Sequence, residues 1–594
     1  MKTKYHTLVI GTGCAGFHAA ERLWGLGVRD IAIITEGQYM GTSRNTGSDK
    51  QTYYKLSLCG DEGDSVREMA NTLYQGGGVM GEHALCEAAY STRCFMHLVE
   101  LGVPFPTNEY GEYAGYKTDH DPRSRATSCG PLTSKFMTEA LERSVIEKGI
   151  EIIDQQLVIE IITDAGAVSG IACVSVESGM CTVISCENVI LCTGGPAGIY
   201  KNTVYPKSQH GALGLVVKAG ASLSNLEEWQ YGIAATKFRW NLSGTYQQVI
   251  PRYVSIDETG TEREFLHEKL GADSLGRIFL KGYQWPFDTG KAEASSKIDL
   301  LVNEELKKGR RVFLDYSRNP LGLDNDFKSL PQEAYAYLSN SGALFGTPYE
   351  RLKKMNIGAC ELFYDHGIDL ASEYLEIAVS AQHCNGGVAV NAHWETSIKG
   401  LYAAGEAAGT FGVYRPGGSA LNSTLVGSLR AAEHIATKDV KKRVGIPKFT
   451  LPKIQYGFDN IDTLRNEYQT EMSRVADFDR STNGMKQLFE KVSDLCNCFF
   501  ETATIIDNRR IYELFKLYDM ILTQRAVLSA MLSSAEIIGT HGSAFVDRTP
   551  ERQNGKMRTT RTITVGMESK QEPVSPLPNP ELWFETLLKK QKEK

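Results

Sequence analysis

Residues 5–36 read YHTLVIGTGCAGFHAAERLWGLGVRDIAIITE, an apolar run, a glycine turn, an amphipathic helical stretch, a second apolar run and an acid. That order is what a βαβ unit needs to hold a dinucleotide. Thr7 to Ile10 is β-branched and apolar, which suits a strand buried on both faces of a parallel sheet. Gly11, Gly13 and Gly16 follow at GxGxxG spacing. The first permits the tight turn, the second lets backbone approach a pyrophosphate, and the third lets the helix pack closely on the sheet. Glu36 closes the second strand, where a carboxylate accepts the hydroxyls of an adenosine ribose.

The 594 residues suffice for two to four domains. A net charge of -7 argues against nucleic acid as the main partner, and the only basic cluster, LLKKQKEK at the C-terminus, reads as a solvated end. No apolar run reaches the length of a membrane span, and the first strand starts too early for a secretory leader, so a cytoplasmic location is expected. The thirteen cysteines include no CxxC pair, which argues against metal or iron–sulfur ligation within the chain. Cys496 and Cys498 lie in a helical pattern and read as buried thiols. Cys173, Cys186 and Cys192 lie in apolar strands, as in a reducing compartment. Electrons must therefore leave through a flavin or nicotinamide, or pass to another protein.

Residues 150–195 alternate as three antiparallel strands that return to a parallel strand ending in Thr193, Gly194 and Gly195. A second glycine site so far downstream points to FAD rather than NAD. Residues 400–434 add a short strand into Gly405 and Glu406, a glycine-rich loop, and a helix starting near Leu421 whose N-terminus can stabilise charge on a reduced flavin. Two segments almost 400 positions apart thus converge on one cofactor.

GTGCAG, VILCTGG, AGASLSNLEEWQ, QHCNGGVAVN and GLYAAGEAAGTFGVYRPGGSAL together resemble, in order, the motifs of the fumarate reductase and succinate dehydrogenase flavoprotein superfamily, which includes L-aspartate oxidase and adenylylsulfate reductase. The resemblance implies an α/β fold: a Rossmann-like FAD domain in two segments (1–225 and 346–440), an inserted α+β capping domain (226–345), a C-terminal helical domain (456–550) and an extended tail (551–594). Cofactor contacts are expected at Gly11, Gly13, Cys14, Ala15, Gly16, Glu36, Thr193, Gly194, Gly195, Gly405, Glu406, Ser419, Ala420 and Leu421. Ser43, Asn45, Thr46 and Gly47 are donors for phosphate or flavin edges, or simply a polar turn.

Departures from the superfamily pattern bear on function. Members with covalent FAD carry a histidine after a serine in the loop following the ribose acid, whereas here Ser43 precedes Arg44, so non-covalent FAD is expected. Of the residues that hold a dicarboxylate, His383 and Arg415 match, but WQYGIA stands where the superfamily has HPTG. The cap arginine that donates a proton has no direct match. Lys281 and Tyr283 are the candidate substitutes, each able to donate if burial tunes its pKa, and each equally an ordinary cap residue. Arg125, Thr127 and Ser128 are either substrate or flavin contacts or part of a loop before a helix. His210 replaces part of a TGDG turn near the adenine side. Hydride exchange between flavin N5 and a carbon beside a carboxylate or carbonyl follows, with fumarate itself a poor candidate. The alternatives are a flavoprotein subunit serving an iron–sulfur partner, an amino-acid oxidase of the aspartate type, and a chain that keeps FAD only as a structural cofactor.

Overall fold

The computed structural model describes residues 2–438, 445–537, 539–548 and 559–592. Strand β1 (Lys4–Ile10), helix α1 (Cys14–Gly25) and strand β2 (Ile31–Ile34) form the expected βαβ unit, with Leu8, Val9 and Ile31 to Ile34 buried. The stretch after residue 150 divides into a short strand β3 (Glu151–Ile153), parallel to β2, and a meander of β4 (Gln156–Asp164), β5 (Ala167–Ser175) and β6 (Cys181–Leu191). Gln155, at φ 56°, breaks the chain between β3 and β4, so one expected strand becomes two. The sheet runs β3-β2-β1-β6-β5-β4, and Leu401–Ala403 returns from far downstream to pair in parallel with the end of β6. These parallel strands aim the ends of β1, β6 and Leu401–Ala403 at one place, where an open α/β sheet binds ligands.

The inserted domain is built on a second, antiparallel sheet in which β7 (Trp229–Ala235) pairs with β8 (Leu375–Cys384). Its own apolar core runs from Ile233 to Ile377 and includes Leu352, Ala359 and Phe363. The core therefore extends past the expected boundary at residue 345. The helices Pro348–Met355 and Ile357–Asp365 bury their apolar sides against the cap rather than the FAD domain.

Helix α2 (Ser419–Ala436) packs on α1, and the chain then enters a helical region ending in the long helix α3 (Ile511–Ile537). This region shares one core with the FAD domain. Gln524 of α3 donates to the carbonyl of Ile199, and Asp519 accepts from the backbone of Leu215. Cys496 and Cys498 are only half-buried on the helix Thr482–Thr502, and Cys498 marks a kink in it.

The expected extended tail differs most. Residues 551–558 and 593–594 lie outside the described residues, but Thr560–Val565 and Glu568–Pro573 form an antiparallel hairpin. The first of these strands adds to Leu223–Ser224 of the FAD domain. The reason is polar as well as apolar: the Thr562 hydroxyl donates to the buried Glu227 carboxylate, and the Thr562 carbonyl accepts from Asn225 N–H at 2.9 Å. Proline-rich SPLPNP lies after the hairpin. No described helix is long and apolar enough to cross a membrane.

Candidate active site

Between the FAD domain and the cap lies a cavity of about 810 Å³. Gly11, Gly13 and Ala15 line one part of it. The turn is as close as its glycines suggest: Gly11 has φ 109° and a Cβ on it would lie 2.5 Å from the Cys192 carbonyl oxygen, while a Cβ on Gly16 would lie 1.9 Å from the Gly11 carbonyl oxygen. Gly16 thus packs the helix rather than facing the cavity. Cys14 likewise turns inward, its thiol against Thr138 at 3.0 Å, while its backbone N–H donates to Ser43 Oγ.

Glu36 lines the cavity, and its carboxylate is gripped by Lys516 of α3 at 2.6 Å. Burial raises the Glu36 pKa, and Lys516 opposes that rise. His210 stands 3.9 Å from the same carboxylate, and burial lowers its imidazole to about 3, leaving it neutral. Lys516 escaped the sequence reading because nothing local links positions 36 and 516.

In the loop after Glu36, Ser43, Thr46 and Gly47 line the cavity. Asn45 does not serve as expected: its side chain donates to the carbonyls of Tyr39 and Gly41 and holds its own turn. Arg44 points to the helix Thr133–Glu147, pairing with Glu142 at 2.6 Å and Glu139 at 3.3 Å. Arg125 is fully buried in ion pairs with Asp64 and Asp121 and does not line the cavity.

Thr193 and Gly194 from the end of β6, and Gly405, Glu406, Ala420 and Leu421 from the second segment, also line the cavity. Gly195 instead lies under the Glu406 carboxylate, where a Cβ would meet Oε1 at 2.2 Å. Glu406 accepts from the Tyr205 hydroxyl and from Cys384 N–H, and burial pushes it up to about 7. Ser419 acts through Arg415, whose Nη1 donates to its hydroxyl at 3.4 Å. Helices α1 and α2 both begin on glycines, Gly13 and Gly418, that supply no capping side chain. Their first-turn N–H groups are suited to negative charge.

Arg415 and His383 meet in the cavity wall. Arg415 Nη2 donates to Gln230 Oε1 at 2.7 Å, and its Nε is buried without a partner among the described residues. Burial lowers the guanidinium to about 10, still charged at neutral pH. His383 is buried, shares a hydrogen bond between Nδ1 and Asn385 Oδ1 at 3.2 Å, and stacks edge-on against Phe411. Burial and the nearby Arg415 hold its pKa well below the usual imidazole range.

The two cap candidates are otherwise engaged. Lys281 faces away from the cavity into a fully buried ion pair with Asp299 at 2.6 Å. Tyr283 lines the cavity, but its hydroxyl donates to Glu333, and burial followed by that bond raises its pKa strongly. Neither is set up as a proton donor.

The residues fit FAD. Uncapped helix N-termini, a glycine turn that excludes side chains, a gripped acid beyond the first βαβ unit, and unpartnered polar atoms at Arg415 and His383 converge on one cavity. This combination of fold and site defines a flavoprotein. The chain belongs to the FAD binding domain family, whose sequence model matches residues 6–421. It is 25% identical over 557 residues to a subunit of the fumarate reductase (CoM/CoB) of Methanothermobacter marburgensis, covering 90% of this chain and 93% of that protein. It is 25% identical over 441 residues to L-aspartate oxidase of Streptomyces coelicolor, covering 72% and 67%. In fold it is similar to Mycobacterium smegmatis Sdh1, with a TM-score of 0.74 at 17% identity over 100% of this chain and 98% of that one. The chain is an FAD-dependent oxidoreductase.

Proposed function

We propose that the protein moves a hydride between non-covalently held FAD and a carbon beside a carboxylate or carbonyl of a small organic acid. The observation that carries this reading is Arg415: a partly buried cation on the cavity wall, held by Gln230 and Ser419, with an unpartnered buried Nε. A guanidinium fixed on two sides is suited to orient and polarise one carboxylate or carbonyl. FAD, when bound, supplies a two-electron hydride donor or acceptor at N5. Trp285, Tyr283 and Tyr337 of the cap line the same cavity and exclude water from the bound acid. Arg44, paired with Glu139 and Glu142, stands after Ser43 where superfamily members with covalent FAD carry a histidine, and this supports non-covalent attachment.

His383 adds a polar contact beside Arg415 in the cavity wall. With Asn385 Oδ1 facing Nδ1, that nitrogen keeps the proton and Nε2 offers a lone pair. A neutral imidazole there accepts a hydrogen bond from an amino or hydroxyl group of the acid and orients it, while its lowered pKa makes it a poor proton acceptor. The match to a relative named as one subunit of its enzyme, over 90% of this chain, supports a further element of the reading: electrons leave to an iron–sulfur partner protein.

Anaerobic flavin spectroscopy tests the proposal. The FAD-loaded protein is mixed with amino acids and hydroxy acids in the oxidised state, and with unsaturated acids after photoreduction. Bleaching or recovery of the flavin bands by an acid is the expected result. Failure of every acid and ketone to cycle the flavin would refute it.

A further inference from the structure

Strands β7 and β8 pair Gln230 with His383 and then Tyr231 with Ala381, which leaves Gln382 as the extra residue of a bulge. Consecutive side chains of a regular strand point to opposite faces, so Gln382 and His383 would face apart. The bulge re-aims one of them, and both line the cavity. Gln382 is buried, and its Oε1 accepts two hydrogen bonds, from Asn241 Nδ2 at 2.8 Å and from Trp285 Nε1 at 2.7 Å. Indole N–H can only donate, so the amide orientation is fixed with oxygen toward Trp285. That leaves Gln382 Nε2, buried and without a partner among the described residues, as a held donor.

The cavity holds one enclosed cation against four carboxyl groups, those of Glu36, Asp49, Asp119 and Glu406. Among the described residues, Arg415 is the only cavity-lining cation that is not solvent-exposed; Lys50 and Lys117 are exposed. The cap contributes Gln230, Asn241, Ser243, Gln248, Trp285 and two tyrosines, all neutral. One carboxylate is matched by Arg415. A second one would be desolvated against neutral amides, which costs far more than placing a neutral acceptor there.

We propose that Gln382 selects the substrate: its fixed N–H takes a neutral acceptor, an amide, ester or ketone oxygen, while Arg415 takes a single carboxylate. The site therefore accepts a monoacid with a neutral second polar group in preference to a dicarboxylate. This rests on the hydride-transfer reading above and names its substrate class.

The test uses the FAD-loaded protein and two isosteric pairs, fumarate against its monoamide with photoreduced flavin, and aspartate against asparagine with oxidised flavin. In whichever direction the flavin cycles, the amide member is expected to react about tenfold faster at equal low concentration, the factor one neutral hydrogen bond supports. Gln382→Leu should abolish that preference with the flavin spectrum unchanged, and Gln382→Lys should turn it toward the dicarboxylate. A native protein that prefers the dicarboxylate, or a preference that Gln382→Leu leaves intact, overturns this inference while the hydride-transfer reading stands. Flavin that cycles with no acid or ketone at all removes both.

Discussion

Lys281 Nζ and the Asp299 carboxylate lie 2.6 Å apart inside the cap, both without solvent exposure, and the ammonium also sits 4.7 Å from the centre of the Trp285 ring. The pair underlies the Trp285 side of the cavity rather than entering it. Removing one partner of a buried ion pair strands the other charge, at about 3–5 kcal/mol. Lys281→Met should therefore lower stability by that order in chemical denaturation while leaving turnover per folded, flavin-loaded molecule near the native value. A large loss of turnover at native stability would return Lys281 to the chemistry.

Lys516 reaches Glu36 from a helix 480 positions downstream and also donates to the Ser208 carbonyl at 3.0 Å. It fixes the carboxylate that the βαβ unit offers to a ribose. Lys516→Met should weaken FAD retention by about tenfold, the value of one lost charge-assisted contact of about 1.5 kcal/mol. Flavin titration of the apoprotein measures this; unchanged affinity would separate Lys516 from the cofactor.

Most of the cofactor half was legible in the sequence and little of the substrate half. The turn Gly11–Gly16 and the meander β4–β6 depend on spacing within a few residues, which periodicity and glycine chemistry report directly. Lys516 and Gln382 depend on contacts between distant segments and on a single-residue bulge, and neither leaves a local pattern. The hairpin after residue 559 did leave one: TRTITV and ESKQEP flank Gly566 and Met567 as two alternating runs about a turn. The prolines that follow it favoured an extended reading. Asn45 and Lys281 have the right chemistry in the wrong orientation, and orientation is set by partners far along the chain.

The hairpin's hold on the FAD domain is testable at Thr562, whose hydroxyl serves the buried Glu227. Thr562→Val preserves shape and removes the donor, leaving a buried carboxyl short of a partner at about 1–3 kcal/mol. Thermal unfolding should show the loss, and an unchanged melting temperature would show that the hairpin is held by other contacts.

Glu87 gives the stability a pH dependence. It is buried beneath α2, where Ser423 donates to it at 2.7 Å, and desolvation pushes its carboxyl up to about 8. In the unfolded chain it titrates near about 4.3. Between these values the unfolded chain has released the proton and the folded chain retains it, so this group's contribution is full below the lower value, falls as pH rises, and is lost above the upper one. Glu87→Gln should therefore flatten the fall in melting temperature between those pH values. Parallel curves for native and variant protein would contradict the assignment.

Binding of the reacting acid by Arg415 beside the flavin is tested by Arg415→Ala in the FAD-loaded protein. Anaerobic stopped-flow absorbance with the acid that cycles the native flavin reads both occupancy and rate. A full flavin complement is expected, with a rate lower by at least about a hundredfold, or ~2.7 kcal/mol of lost stabilisation. An unchanged rate at full flavin occupancy would contradict it.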